Sequence, residues 1–160
     1  MKLPFEGYSY CIDTNALVDL WRRLYPKDVF PSLWNNIEDL VQSGKLIAPR
    51  EVLNELELVD DDLLKWGKER RPMFITLETE QQDRVKEILK NFPTLIDPNK
   101  TTPDADPFVI SLAMTEAAVV VTNERLAGPG GRPRIPNVCL KYNVKCLNLL
   151  DLFRELRWNF

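Results

Sequence analysis

The stretch Tyr8-Ser9-Tyr10-Cys11-Ile12-Asp13-Thr14-Asn15 decides the fold. Its first five residues are almost uninterruptedly apolar, and the run then stops on a carboxylate and two hydrogen-bonding side chains. A short apolar run with that ending reads as a strand buried on both faces, the kind from which parallel sheets are built. A second run, residues 117–121, stops the same way at Thr122-Asn123-Glu124. Two such strands predict an α/β sheet with acids at its strand ends, the edge where open α/β sheets bind ligands.

Outward from these strands, apolar spacing predicts helices. Residues 14–24 put Ala16, Leu17, Leu20, Trp21 and Leu24 on one face, and Pro26 ends the pattern. Pro31 opens a second helix with Leu33, Ile37, Leu40 and Val41, closed by Ser43-Gly44. Residues 46–48 suit a short strand, and Pro49 leads into a helix over 50–59. Asp60-Asp61-Asp62 caps a helix through Trp66, and Thr79 with Gln82 makes a capping box ahead of Val85, Ile88, Leu89 and Phe92. Residues 93–103 read as a loop, 108–118 as a buried helix opened by Asp106-Pro107, and 128–136 as a Gly/Pro-rich loop. A short helix at 138–142, a strand at 144–147 and an amphipathic helix through Leu149, Leu152, Phe153 and Leu156 complete the pattern. Strands separated by helices need crossover connections. The prediction is therefore a three-layer α/β/α sandwich around a mostly parallel sheet, one domain over residues 1–160.

Composition narrows the class. The 44% hydrophobic and 28% charged fractions are those of a globular protein. No apolar stretch approaches the ~20 residues of a membrane span. The opening MKLPFEGYSY lacks the apolar core of a signal peptide, which predicts a cytoplasmic protein. Cys11, Cys139 and Cys146 are an odd count without CxxC spacing and read as reduced, packed thiols. A net charge of −3 argues against a large nonspecific DNA binder. It leaves a nuclease open, because clustered metal-binding acids themselves lower the total.

Taken singly, each acid has a structural explanation. Asp13 can cap the helix after the first strand, worth ~1 kcal/mol. Glu55 sits at the edge of the apolar arc of Val52, Leu53, Leu56 and Val59. Asp106 before Pro107 is a standard helix opening, with Asp104 two residues earlier. Glu124 follows a strand whose end also offers Thr122 and Asn123. Together they ask for more. Two carboxylates ~5 Å apart at an effective dielectric of 20 repel by about 3 kcal/mol. Four gathered at one edge need a cation. The chain has no histidine, so the donors are hard oxygens, which select Mg²⁺ or Mn²⁺ over zinc. Such ions act on phosphate esters.

The strand ending in Asp13-Thr14-Asn15, Glu55 within VLNEL, the helix opening at Asp106-Pro107 and the segment VVVTNE resemble the PIN-domain ribonucleases in order and spacing. The resemblance runs over nearly the whole chain. The stretches LVDLWRRLYPKDVFPSLW and IPNVCLKYNVKCLNLLDLF resemble a PIN-like subfamily catalogued as a domain of unknown function. This likeness implies a metal-dependent endoribonuclease, similar to the toxin of VapBC-type toxin–antitoxin pairs. It implies an RNA substrate, an antitoxin partner and Mg²⁺ or Mn²⁺. Asp13, Glu55 and Asp106 would be metal-binding acids, and Glu124 would replace a fourth acid that is usually aspartate. Asn15 and Thr122 would orient ligands or water. The longer arm of Glu124 favours a water-mediated contact, and Asp104 is an additional acid.

Substrate phosphates need cations. Arg22, Arg23 and Lys27 form one group, Lys68, Arg70 and Arg71 a second, and Arg125, Arg132 and Arg134 a third, though charge runs of this kind are usually solvated faces. Arg125, next to Glu124, is the first choice for a substrate contact. Trp21, Trp34, Trp66 and Trp158 are core or interface residues before they are base-stacking platforms. Trp34 and Trp66, read as apolar edge residues, leave room for a homodimer. The rival reading is a non-catalytic PIN-like module that binds RNA or protein, and its signature would be loss of acids that this chain retains. A haloacid-dehalogenase-like phosphatase would need DxDx(T/V) where the chain has Asp13-Thr14-Asn15-Ala16, and a receiver domain would need a lysine where it has Glu124.

Overall fold

Three consecutive apolar side chains, Tyr10, Cys11 and Ile12, form strand β1 (Tyr10–Ile12), buried along its whole length. A computed structural model describes residues 9–96, 99 and 104–160; Tyr8, the predicted start of this strand, lies outside them. Around β1 stand β2 (Leu46–Pro49), β3 (Phe74–Ile75), β4 (Val119–Val121) and β5 (Cys146–Leu147). The order is β3-β2-β1-β4-β5, and every pairing is parallel. The sheet is thus wholly rather than mostly parallel. Near-continuous valine and isoleucine runs are what such doubly covered strands require.

The helices are α1 (Thr14–Val18), α2 (Pro31–Gln42), α3 (Arg50–Leu56), α4 (Asp61–Lys68), α5 (Thr79–Asn91), α6 (Asp106–Glu116), α7 (Ile135–Lys141) and α8 (Leu149–Glu155). Right-handed crossovers place the helices of the β1-to-β3 half on one face. The chain then reverses direction along the sheet, so the helices leading to β4 and β5 cover the other. Side chains agree. Tyr10 donates its hydroxyl to Glu155 Oε2 at 3.1 Å, while Cys11, pointing oppositely, meets the Val109 carbonyl of α6 at 3.5 Å. Helix α6 packs on β1, β2 and β4, and its Val109, Ile110 and Leu112 are fully buried.

Several local expectations needed correcting. The first helix is not uniform to residue 24: after Val18 it widens into a π-turn, Asp19–Arg23. Strand β3 was not foreseen, because two residues carry no periodicity. The capping box sits one residue earlier, with Glu78 N–H donating to Gln81 Oε1 at 2.7 Å. Of the predicted loop 93–103, Pro93–Leu95 forms a 3₁₀ turn, and residues 97, 98 and 100–103 lie outside those described.

The tryptophans are not an exposed edge. Trp34 is fully buried and Trp66 nearly so, and with Trp21 they form a cluster with ring centroids 5.3, 5.8 and 6.2 Å apart. Each buried indole N–H finds an acceptor: Trp34 the Tyr25 carbonyl at 2.7 Å, Trp66 the Glu38 carboxylate at 2.9 Å. Arg70, expected among substrate-facing cations, instead grips Glu38 through Nε and Nη2, each at 2.8 Å, and lies over the Trp66 ring. Burying three aromatic bodies is worth more here than exposing them, so the homodimer loses the surface on which it was argued. Among the described residues no helix is long and apolar enough to cross a membrane.

Candidate functional site

The chain reverses its direction along the sheet between β1 and β4, and the carboxyl ends of these two neighbours form the crevice where doubly wound sheets take ligands. Asp13 stands at the end of β1, where it does two jobs. Its Oδ1 accepts from Ala16 N–H at 2.7 Å and caps α1, while its Oδ2 accepts from the Thr122 hydroxyl at 2.6 Å. Thr122 Oγ1 also accepts from Glu124 N–H at 3.1 Å. Capping and site geometry therefore use the same carboxylate, which is 99% buried on a residue basis, with only 1% exposed.

Helix α3 rises from the end of β2 and carries Glu55 to the mouth of α6, where Oε1 accepts from Ala105 N–H at 2.6 Å. Asp104 Oδ1 accepts from Asp106 N–H at 3.3 Å, turning the chain into α6. Glu124 Oε2 accepts from Ile135 N–H at 3.1 Å, which folds the loop after β4 back over the sheet edge. Glu55, Asp104, Asp106 and Glu124, with Asn15, line one cavity of about 550 Å³. Asp13 is buried beside it, near enough to feel the charges of Glu124 and Glu55.

This crowding has an electrostatic consequence. Burial pushes Asp13 up to about 7, against the opposing pull of the Thr122 and Ala16 hydrogen bonds. Burial, then repulsion from Asp104, Glu124, Asp13 and Glu55, pushes Asp106 up to about 9. A carboxyl pushed up this far is the mark of burial, with like charges beside it and no counter-charge to offset them.

Among the described residues, no three acidic or cysteine side chains stand close enough to form a ready-made metal cage. The donor set nonetheless suits a hard divalent cation, because Mg²⁺ keeps several waters and needs only one or two direct carboxylates. A second observation points the same way. Thr14 Oγ1, on a residue lining the cavity, is buried with no hydrogen-bond partner. A buried orphan hydroxyl of this kind calls for a water or an ion's hydration shell.

Sequence reading singled out no role for Thr14, and the cap of α1 is made by Asp13. It also passed over Asp19 at the π-turn, whose Oδ2 accepts from Asn123 Nδ2 at 2.8 Å while Asn123 Oδ1 accepts from Leu149 N–H at 3.0 Å. That pair holds the end of β4 against α1 and α8. Asn15 is exposed at the cavity. Arg125 is exposed but does not line it, whereas Arg132 and Arg134 do. Arg22 pairs with Asp60 at 3.1 Å and Arg23 with Asp19 at 3.3 Å.

A family model, the domain of unknown function DUF4411, matches residues 10–160. The chain belongs to the DUF4411 family. Among curated proteins none matches it. Among solved structures, the DUF4411 fold is similar to the crystal structure of VapBC2 from Rickettsia felis bound to a DNA fragment from their promoter. That alignment covers 87% of this chain and 97% of the other, with a TM-score of 0.50 and 19% identity. At such identity the likeness is one of fold alone.

Proposed function

We propose that this chain is an endoribonuclease that hydrolyses phosphodiesters with Mg²⁺ or Mn²⁺, held by Asp13, Glu55, Asp106 and Glu124. One observation carries the reading: carboxylates from four separate parts of the chain converge at the β1/β4 switch point, where burial first and the neighbouring negative charges second push Asp13 and Asp106 up. Such mutual repulsion lowers stability in a metal-free protein, and a site that keeps it has use for a cation. A bound ion would supply a polarised phosphoryl oxygen and a more acidic water.

The chain's own residues supply the rest. Thr122 and Ala16 fix both oxygens of Asp13, leaving their remaining lone pairs directed by geometry rather than by rotamer choice. Glu124, held by Ile135 N–H, acts through water on account of its longer arm. Asn15 and Thr122 orient ligands, and Asp104 sets the turn into α6. RNA as substrate and a protein antitoxin as partner follow from the likeness to PIN-domain toxins, while a cytoplasmic location and one domain over residues 1–160 follow from the sequence's composition and length.

The test is cleavage of a labelled single-stranded RNA pool in Mg²⁺ or Mn²⁺, with Asp13→Asn and EDTA as controls. Cleavage lost in both controls supports the reading. No cleavage together with no metal binding by calorimetry sinks it in favour of a non-catalytic RNA- or protein-binding module. Metal binding without cleavage keeps the metal site and rejects the RNA substrate.

A further inference from the structure

Arg134 lines the same cavity as Glu55, Asp104, Asp106 and Glu124, yet among the described residues no ion pair joins it to any of them. An arginine beside several carboxylates normally pairs, because the bidentate geometry is favourable. Its neighbour in the loop behaves differently. Arg132 spends its donors on backbone, with Nε to the Thr94 carbonyl at 2.5 Å and Nη2 to that of Leu95 at 3.4 Å. Arg132 is thus a latch that ties the Gly/Pro-rich loop to the turn after α5. The loop is further fixed by Asn137 Oδ1, which accepts from Ala127 N–H and Arg134 N–H, each at 3.0 Å. Arg134 therefore extends from an anchored backbone with its guanidinium uncommitted among the described residues.

We infer that Arg134 is the residue that receives a substrate phosphate in the cavity that the carboxylates line. The assignment rests on the phosphodiester reading above and refines it. A phosphate group is the ligand chemistry that satisfies both kinds of lining residue: its anionic oxygens pair directly with a guanidinium, and with carboxylates only through a cation. Arg134 is a binding residue, and Arg132 positions it. Arg125 is exposed and does not line the cavity.

The experiment is fluorescence anisotropy of a labelled twelve-nucleotide single-stranded RNA in Mg²⁺, using Asp13→Asn protein so that binding is read without cleavage. Adding Arg134→Ala weakens affinity about tenfold or more, as expected for a lost charge-assisted contact. It also flattens the slope of log K against log salt by about 0.7, the value for one fewer phosphate contact on a single strand. Arg134→Lys keeps the salt slope while losing part of the affinity, and Arg125→Ala stays within about twofold, since it is off the cavity. Equal affinity and slope for Arg134→Ala and its parent would overturn the assignment, as would an equal loss from Arg125→Ala or a parent that does not bind. Arg134-dependent binding by a chain whose wild type never cleaves would reject the nuclease reading and leave this one standing.

Discussion

The Thr122 hydroxyl donates to Asp13 Oδ2 at 2.6 Å and accepts from Glu124 N–H at 3.1 Å, so a single oxygen joins the ends of β1 and β4. Both bonds are lost in Thr122→Val, which leaves a buried carboxylate with one partner and a backbone donor with none. Leaving such groups unsatisfied costs about 1–3 kcal/mol. Urea unfolding should register that loss, and calorimetry should show weaker Mn²⁺ binding because Asp13 is free to turn. Thr122→Ser retains the oxygen and should recover most of both. A valine variant as stable as wild type would mean that the hydroxyl positions nothing.

Stability of the metal-free protein should fall as pH rises. Asp13 and Asp106 have folded-state values of about 7 and about 9, above the ~4 of an unfolded aspartate. Between those limits the native state binds more protons than the unfolded state. Stability on this account is greatest at and below about pH 4 and is lost from there through pH 7 and on toward 9, by on the order of several kcal/mol for the cluster. Thermal melts in EDTA at pH 5, 6.5 and 8 check the sign. Asp106→Asn should raise the pH 8 melting temperature, and Mn²⁺ should restore wild type at pH 8 more than at pH 5. A melting temperature that climbs from pH 5 to 8 would contradict the electrostatic account of the site.

Thr14 gives a case where stability and binding should move apart. Its Oγ1 is buried without a partner, so Thr14→Val removes an unsatisfied group of nearly the same size. Burying such a hydroxyl costs roughly 1–3 kcal/mol by mutational measure, so the valine variant should melt at the same or a higher temperature without metal. If the hydroxyl serves a hydrated ion, Mn²⁺ affinity should drop in the same variant. Unchanged affinity with raised stability would make Thr14 a packing defect and nothing more.

How much of this was legible before the structure depended on range. The strands could be read because parallel strands buried on both faces leave an unbroken apolar signature, clear at residues 10–12 and 119–121. The convergence of Asp13 and Glu124 followed from strand ends, and that of Asp106 from the helix it opens. What sequence could not supply were angles and partners. Glu55 reaches the edge through a bond to Ala105, fifty positions away, and no local pattern reports that. Trp66 read as an apolar edge residue and Arg70 as one of a cationic group, yet Glu38, from another helix, holds both inward. Arg125 had proximity in sequence to Glu124, whereas Arg134 has proximity in space. The loop between them turns the chain, and adjacency to a proposed ligand says nothing of which side an exposed arginine faces.

At the far end of α6 the backbone offers a test independent of function. Ala117 closes the helix with φ 51° and ψ 38°, and the next residue's N–H, from Ala118, reaches back to the Ala113 carbonyl at 2.8 Å. Helices commonly end on a left-handed residue, and glycine is favoured because any Cβ there crowds the following carbonyl, at about 1–2 kcal/mol. Glycine returns about 0.4–1 kcal/mol of this through its freer unfolded chain. Ala117→Gly should therefore stabilise by up to about 1 kcal/mol, roughly 2–4 °C in melting temperature for a chain of this size. Asn143, also left-handed at φ 56°, is the internal control. Asparagine tolerates that region through its short polar side chain, so Asn143→Gly should gain less. Helix α6 separates Ala117 from Asp106 by about 16 Å along its axis. Metal affinity should accordingly stay unchanged in Ala117→Gly. If the glycine variant melts lower than wild type, the left-handed cap is carrying no strain and α6 is held by its packing alone.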